Sequence, residues 1–320
     1  MPLQPGQFVE PYRLEAVLSE GGMSDIYLAS AQDRRYHKIA IKCSKDGRAE
    51  YQDALRREVD NLKLLRHPSV VRIFPLRLTR ERVVYHARAA QLPAQPWYFA
   101  MEHIPGGSLD SHQARITPLP IVWRTELFYQ LLVVVHFLHR AGYTHCDLKP
   151  ENILLREAPR MDRTPQPVLV DFGSASPINR RRNLTHTPQY APPEVIRAAA
   201  DPQNTSLRAP ELLPPDKADV WALGAIYYEL LTGKPLIPAA TYAEAVEAVL
   251  NGKWDHISSR RPDIHRSLVH LVDRMLQTNP YDRPEVGEII VEVEERIDSV
   301  APPRIPTLSP LHVGGTGGGR

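Results

Sequence analysis

Two cysteines in 320 residues, Cys43 and Cys146, are too few for a disulfide framework, so a reducing, cytoplasmic setting is expected. Long hydrophobic runs are scarce as well. The apolar run from Leu131 to Phe137 is interrupted by His136 and falls far short of the ~20 residues a membrane-spanning helix needs. The chain opens Met-Pro-Leu-Gln-Pro-Gly, with no basic segment followed by an apolar core, so neither a signal peptide nor a membrane span is expected. An excess of one charge is missing too. Lys and Arg number 39 against 37 Asp and Glu, a net +2, which lacks the electrostatic footprint of a nucleic-acid-binding protein. Core-forming residues are not lacking: 42% hydrophobic and 24% charged residues is globular composition and excludes general disorder.

Proline is abundant, at 31 residues, about twice average usage. The prolines gather at residues 93–96, 159–167, 210–215 and 302–310, which marks long loops and a terminal tail. Residues 299–320 are rich in Pro and Gly and are expected to be a disordered tail. Tyr12 to Leu18 and Ile26 to Ala29 read as strands around a Gly-containing turn, followed by strands over 38–43, 70–78 and 97–102, with a long connection at 80–96. A helix over 49–66 is stopped by His67-Pro68, because the position before proline disfavours helical angles. After the break at Ile104-Pro105-Gly106-Gly107, helices dominate: 119–140, 219–231, 243–251, 264–277 and 285–298. The segment from Asp219 to Leu231 is apolar nearly all the way round, as in a helix buried on every side. The pattern implies an α+β protein of two lobes, a small sheet-rich one over residues 1–104 and a larger helical one over 105–298.

Charges placed on apolar faces carry the most information. In the 49–66 helix, Glu58 shares a stripe with Leu55, Leu62 and Leu65. Lys42 interrupts the apolar run Ile39-Ala40-Ile41-Lys42-Cys43. Breaking a buried ion pair costs about 3–5 kcal/mol, so such charges come in pairs, and Lys42 with Glu58 is the economical pairing. Taken alone, a snorkelling Lys42 and an edge-lying Glu58 would be the better reading. Two further segments weigh against that. Val168-Leu169-Val170-Asp171-Phe172-Gly173 delivers a carboxylate at a turn. His145-Cys146-Asp147-Leu148-Lys149-Pro150-Glu151-Asn152 packs an acid, a cation and an amide into one loop after a long helix. Oxygen ligands from one or two side chains, completed by phosphate and water, are what Mg²⁺ prefers.

In order and spacing these motifs resemble the protein kinase superfamily, specifically the bacterial-type serine/threonine kinases, from about residue 12 to about residue 297. The resemblance implies a bilobal kinase fold, a cytoplasmic enzyme using ATP and Mg²⁺ (or Mn²⁺), and Ser/Thr-bearing protein substrates, autophosphorylation included. Ser19, Glu20, Gly21, Gly22, Met23 and Ser24 correspond to the glycine-rich phosphate loop, in which Ser19 and Ser24 stand at the outer glycine positions. Lys42 corresponds to the lysine that grips the phosphates, and Glu58 to its helix partner. Met101 corresponds to the gatekeeper and Glu102 to Ile104 to the adenine-binding hinge, while Ile26, Ala40 and Leu154 correspond to the apolar walls around the ring; all are core candidates too. Asp147 is implied as the residue that orients the substrate hydroxyl and accepts its proton, Lys149 as the support for the transferring phosphoryl, and Asn152 and Asp171 as the metal ligands. His145, Phe172 and Gly173 complete the two motifs. Thr187 opens a docking segment that runs to Glu194, Arg283 matches the arginine that pairs with Glu194, and Asp219 matches the aspartate that anchors the catalytic loop, with a helix N-cap as its plainer role.

The departures are specific. Cys146 stands where relatives carry an arginine that an activation-loop phosphate neutralises, so activity is expected not to depend strictly on phosphorylation of Ser174, Ser176 or Thr185. Cys146 and Cys43 read as packing residues ahead of reactive thiols. Arg180-Arg181-Arg182 reads as a solvated charge run ahead of an anion site. Residues 198–216 are longer than the family usually has there. Two rival readings, a catalytically dead kinase-like binding module and a small-molecule phosphotransferase, conflict with the presence of Lys42, Glu58, Asp147, Asn152 and Asp171 and of the docking segment.

Overall fold

A computed structural model describes residues 3–9, 11–31, 38–77, 83–179, 187–201 and 213–300. Arg180 to Arg182, Thr185, most of the 198–216 stretch and the 301–320 tail lie outside the described residues.

The first lobe is built on an antiparallel sheet. Its strands are Phe8–Val9 (β1), Tyr12–Glu20 (β2), Ser24–Ala31 (β3), Ile39–Ser44 (β4), Ile73–Phe74 (β5), Ala87–Arg88 (β7) and Trp97–Glu102 (β8). The short strand Leu76–Arg77 (β6) pairs with Val83–Val84 outside the sheet. The order is β1-β2-β3-β4-β8, with β5 and β7 both on the far edge of β8. Every residue of β4 is buried, because both faces of the sheet are covered. Below lies helix α1, Ala49–Leu64, which buries Leu55, Glu58, Val59 and Leu62. Above, Tyr27, Ile41, Cys43 and Tyr98 form a second apolar cluster with Val9 and with Ala87 and Leu92 of the 80–96 connection. A strand buried on both faces reads as a continuous apolar run, which is how β4 appears in the sequence.

The predicted strand over 70–78 is shortened to Ile73–Phe74. Pro75 has no N–H to continue a ladder, and the residues before it turn to the second lobe instead: Val71 N–H donates to Leu169 O at 3.0 Å, and Leu169 N–H to Ser69 O at 2.8 Å.

The second lobe is helical: Gln113–Ile116 (α2), Ile121–Arg140 (α3), Pro193–Ala200 (α4), Pro215–Thr232 (α5), Tyr242–Leu250 (α6), Ile257–Arg260 (α7), Arg266–Met275 (α8) and Val286–Val300 (α9). The last runs two residues past the expected end at 298. Two short antiparallel strand pairs, Tyr143–Thr144 with Ser176–Pro177 and Ile153–Leu155 with Pro167–Leu169, carry the loops between α3 and α4. Helix α5 is buried at every residue from Lys217 to Leu231. It begins at Pro215, pre-set for a first helical turn, so Asp219 lies inside the helix and is not its N-cap. Among the described residues α3 alone has the length and hydropathy of a membrane-spanning helix. It packs against α5 and α9 and buries ten of its residues. One of them, Arg124, donates from Nη1 to the carbonyls of Leu230 and Leu231 at 2.9 and 3.1 Å, at the end of α5 where a cation suits the helix dipole.

Arg283 ties α4 to this core. Its fully buried guanidinium reaches Glu194 through two bonds of 2.7 and 2.9 Å, and donates to Gln277 O at 2.8 Å and Lys217 O at 3.0 Å. Arg283→Met leaves the Glu194 carboxylate without its cation. The expected loss, read by urea unfolding, is about 3–5 kcal/mol; a loss under about 1 kcal/mol would show that water already reaches the pair.

Candidate active site

Lys42 is the one charge on β4. It pairs across the sheet with Ile26 and Phe99, and its Nζ lies 2.6 Å from Glu58 Oε2 and 3.0 Å from Asp171 Oδ1. Burial works against the Lys42 cation, but the two carboxylates outweigh it and raise its pKa. Lys42 in turn holds the Asp171 carboxyl below the usual range. Burial pulls Glu58 the other way and raises its carboxyl, while Lys42 and the Phe172 N–H both donate to it. We take the pair as ionised, since the donors face the charged form at hydrogen-bond distance.

Asp171 sits at φ +62°, in the left-handed region that few non-glycine residues occupy. Phe172 beside it is fully buried, its ring 4.9 Å from that of His145. Asn61 of α1 donates from Nδ2 to Phe172 O at 3.1 Å and Ala175 O at 2.9 Å. Helix α1 therefore holds both the partner of Lys42 and the turn that carries Asp171.

The loop over residues 145–152 hangs on Asp219. Its Oδ2 accepts from His145 N–H at 2.9 Å and lies 3.1 Å from His139 Nε2; its Oδ1 accepts from Cys146 N–H at 3.0 Å. Burial alone would raise the Asp219 carboxyl; the His139 ring and the backbone donors reverse that and hold it low. Cys146 takes φ +66° and is buried, its Sγ 3.1 Å from Thr144 Oγ1 and 3.7 Å from Ser176 Oγ. Asp147 is presented toward the other lobe: its Oδ2 lies 3.0 Å from Lys149 Nζ and 3.1 Å from Asn152 Nδ2, and its Oδ1 accepts from the Thr187 hydroxyl at 3.2 Å. Lys149 also donates to Thr187 Oγ1 at 2.9 Å.

Between β2 and β3 the turn closes through Gly21 N–H to Ser24 O at 3.0 Å. A Cβ on Gly21 would stand 2.7 Å from that oxygen, so only glycine fits. The N–H groups of Gly22 and Met23 make no intramolecular hydrogen bond among the described residues, which leaves two donors for an anion.

A cavity of about 640 Å³ lies between the lobes, walled by Ile26, Ala40, Met101, Ile104 and Leu154 and lined also by Lys42, Asn152 and Asp171. A second, of about 230 Å³, lies under the turn and is lined by Gly21 to Ser24, Lys42, Glu58, Asp147 and Asp171. Among the described residues no cluster of three or more His, Cys, Asp or Glu could hold a metal unaided. Asp171 and Asn152, which both line the larger cavity, instead suit a hard cation that takes the rest of its oxygens from phosphate and water.

A family model described as the protein kinase domain matches residues 12–292. The chain belongs to the protein kinase family. It is 29% identical over 289 residues to CBL-interacting protein kinase 10 of Oryza sativa subsp. japonica, covering 87% of this chain and 55% of that one. It is 29% identical over 317 residues to serine/threonine-protein kinase PknB of Mycobacterium leprae (95% and 46%) and 30% over 290 residues to CBL-interacting serine/threonine-protein kinase 18 of Arabidopsis thaliana (87% and 48%). The kinase domain thus has serine/threonine kinase character, and the chain spans about half the length of these relatives.

In this kinase the expected residues converge: Lys42, Glu58 and Asp171 in one ion-pair network, Asp147, Lys149, Asn152 and Thr187 in another, both opening on the interlobe space. Ser19, Glu102 and Ile104 line the larger cavity. Glu20, expected among the phosphate-loop residues, is exposed at the end of β2 and lines neither cavity, because strand alternation and the turn geometry put Gly21 to Ser24 there instead. The Glu102 side chain turns to Arg72 N–H at 2.9 Å and Arg156 Nη1 at 3.1 Å, and its own N–H donates to Arg72 O at 2.8 Å. Asn61 was not foreseen, since an Asn on a half-buried helix face carries no signal of its own. Cys43 is a packing residue: burial pushes its thiol well up.

Glu229 of α5 was not foreseen either. It is buried and accepts from the Tyr190 hydroxyl at 2.9 Å in the docking segment. Burial pushes its carboxyl up to about 7, with Asp110 and Glu151 adding repulsion and Tyr190 opposing. The folded protein therefore binds this proton more tightly than the unfolded chain, where Glu titrates near 4.5. The stability it contributes is complete below that value and is lost as pH rises through about 7. Glu229→Gln removes the titration, so its Tm relative to wild type should climb between roughly pH 5 and pH 8. A difference constant with pH would refute the assignment.

Proposed function

We propose that this domain is an active serine/threonine protein kinase that transfers the γ-phosphoryl group of ATP, with Mg²⁺ or Mn²⁺, to protein hydroxyls, its own included, in the cytoplasm. The observation that carries the reading is the Asp147–Lys149–Thr187 cluster beside the Lys42–Glu58–Asp171 network, with Asp147 lining the smaller cavity, Lys149 the larger, and Lys42, Glu58 and Asp171 both.

Phosphoryl transfer asks a protein mainly for positioning and charge compensation. Asp147, whose carboxylate is already shared by a threonine hydroxyl, has the geometry to orient an incoming Ser or Thr hydroxyl and take its proton. Lys149, held between Asp147 and Thr187, supplies positive charge beside that hydroxyl. Lys42 offers a fixed cation, and the free N–H groups of Gly22 and Met23 offer dipoles, to a polyphosphate. Asp171 and Asn152 would hold the divalent ion, which when bound neutralises phosphate charge. The apolar walls at Ile26, Ala40 and Leu154 suit a flat aromatic base.

The neutral Cys146 supports activity without a loop phosphate. Its side chain packs against Thr144 and Ser176, and backbone pairing of Thr144 with Ser176 holds the start of the following segment. No cation there awaits neutralisation.

Asp147→Asn should lower transfer to a generic protein substrate by at least about a hundredfold while leaving Mg²⁺-dependent nucleotide binding intact. Ser174→Ala and Ser176→Ala should keep most of the wild-type rate. Radiolabelled phosphate transfer and a thermal-shift titration with ATP measure both. Wild-type protein that binds nucleotide yet labels neither itself nor any protein substrate would sink the enzymatic reading; loss of activity in both serine variants would sink the phosphate-independent part.

A further inference from the structure

Asp25 is a buried carboxylate that the arrangement above does not use. It follows the phosphate-loop turn on β3, on the same strand face as Tyr27 and Ala29 and opposite Ile26, and lines neither cavity. It is 3% exposed. Its Oδ1 accepts from Lys45 Nζ at 2.6 Å and from the Gly21 N–H at 3.3 Å, and its Oδ2 from the Tyr27 hydroxyl at 3.4 Å. Lys45, just past the end of β4, also donates its own N–H to Met23 O at 2.9 Å. One lysine thus holds the turn twice, through its main chain to Met23 and through its side chain and Asp25 to Gly21.

The need for such a hold is visible in the sequence of the turn. Gly21-Gly22 is the stretch of this hairpin with most conformational freedom to lose. The two unbonded donors, on Gly22 and Met23, lie between the points that Asp25 and Lys45 fix. Holding them in place before nucleotide arrives removes an ordering cost from binding. A carboxylate this buried is strongly unfavourable without its cation, so the pair is built into the hairpin and is not a chance surface contact.

We propose that Asp25 and Lys45 are positioning residues that hold the phosphate loop in its nucleotide-binding geometry from the outer face of the sheet. This rests on the ATP reading given above.

The test uses the full chain with Asp25→Asn, Lys45→Met and Lys45→Arg, read by amide hydrogen exchange without nucleotide, by calorimetric titration with ATP and Mg²⁺, and by steady-state kinetics. In the first two variants exchange across residues 20–24 should rise on the order of tenfold relative to the rest of the sheet. KM for ATP should rise about fivefold to twentyfold, with kcat changed less than about threefold, as expected when a ground-state binding interaction is lost. Lys45→Arg keeps the cation and should stay near wild type. Should Asp25→Asn fail to fold, Lys45→Met carries the test, since the Lys45 side chain is one-third exposed. A fall in Tm with loop exchange and KM unchanged would assign the pair to stability alone and overturn the proposal, as would Lys45→Arg behaving like Lys45→Met. Wild-type protein that fails to bind ATP would instead overturn the ATP reading and this inference with it, a result separable from the variants' behaviour.

Discussion

A cation buried on a central strand must be met by negative charge, and the site depends on how Lys42 meets that demand. Its two carboxylate partners lie 16 and 129 residues away in the chain. Glu58 reaches it only if α1 packs with its Leu55–Leu62 stripe against the sheet, and Asp171 only if the lobes close. Such a pair adds little net stability over an apolar substitute, since desolvation consumes most of the Coulombic gain. Its effect is to select one arrangement: any rotation of α1 or opening of the lobes leaves a buried charge unmet. Asn61 reinforces the same choice from the next turn of the helix by binding two carbonyls around Phe172.

The helical lobe meets the same problem with one scaffold. Helix α5 is apolar except for a few charges, and these hold the surrounding loops. Lys217 donates to Arg283 O and reaches Glu285. Asp219 holds the amides of His145 and Cys146, and Glu229 holds Tyr190 of the docking segment. A helix with no solvent-facing side gives each of these contacts a fixed origin, because it has no direction in which to yield. Catalytic loop and docking segment are thereby referenced to one rigid element, which explains why Asp147 and Thr187 meet although they are 40 residues apart.

How much of this was readable from the sequence follows from range. Strand Trp97–Glu102, helix α1 and the buried helix stood out because each carries its own periodicity over enough residues. The pairing of Lys42 with Glu58 was readable because each charge broke an apolar pattern. The strand over 70–78 was overextended because Val71 has its hydrogen-bond partner at Leu169, a contact that leaves no mark on local pattern. The cover over the outer sheet face was missed for a related reason: its strands are two residues long, too short to show alternation. Asp219 was correctly singled out as a loop anchor, but the N-cap role fell to position because two prolines start the helix a turn earlier.

Cys146 shows what the anchoring makes possible. The position it occupies takes a strained left-handed backbone, and strain of this kind persists only where the surroundings over-determine it. Here Asp219 fixes the amides of His145 and of Cys146 itself, and the thiol fills a small space between two hydroxyls. Both restraints act through backbone and packing, and neither involves a side-chain charge at that position. The loop over residues 145–152 therefore holds its shape at Cys146 without a cation there, because the amides of His145 and Cys146 are fixed from beneath by Asp219 of α5.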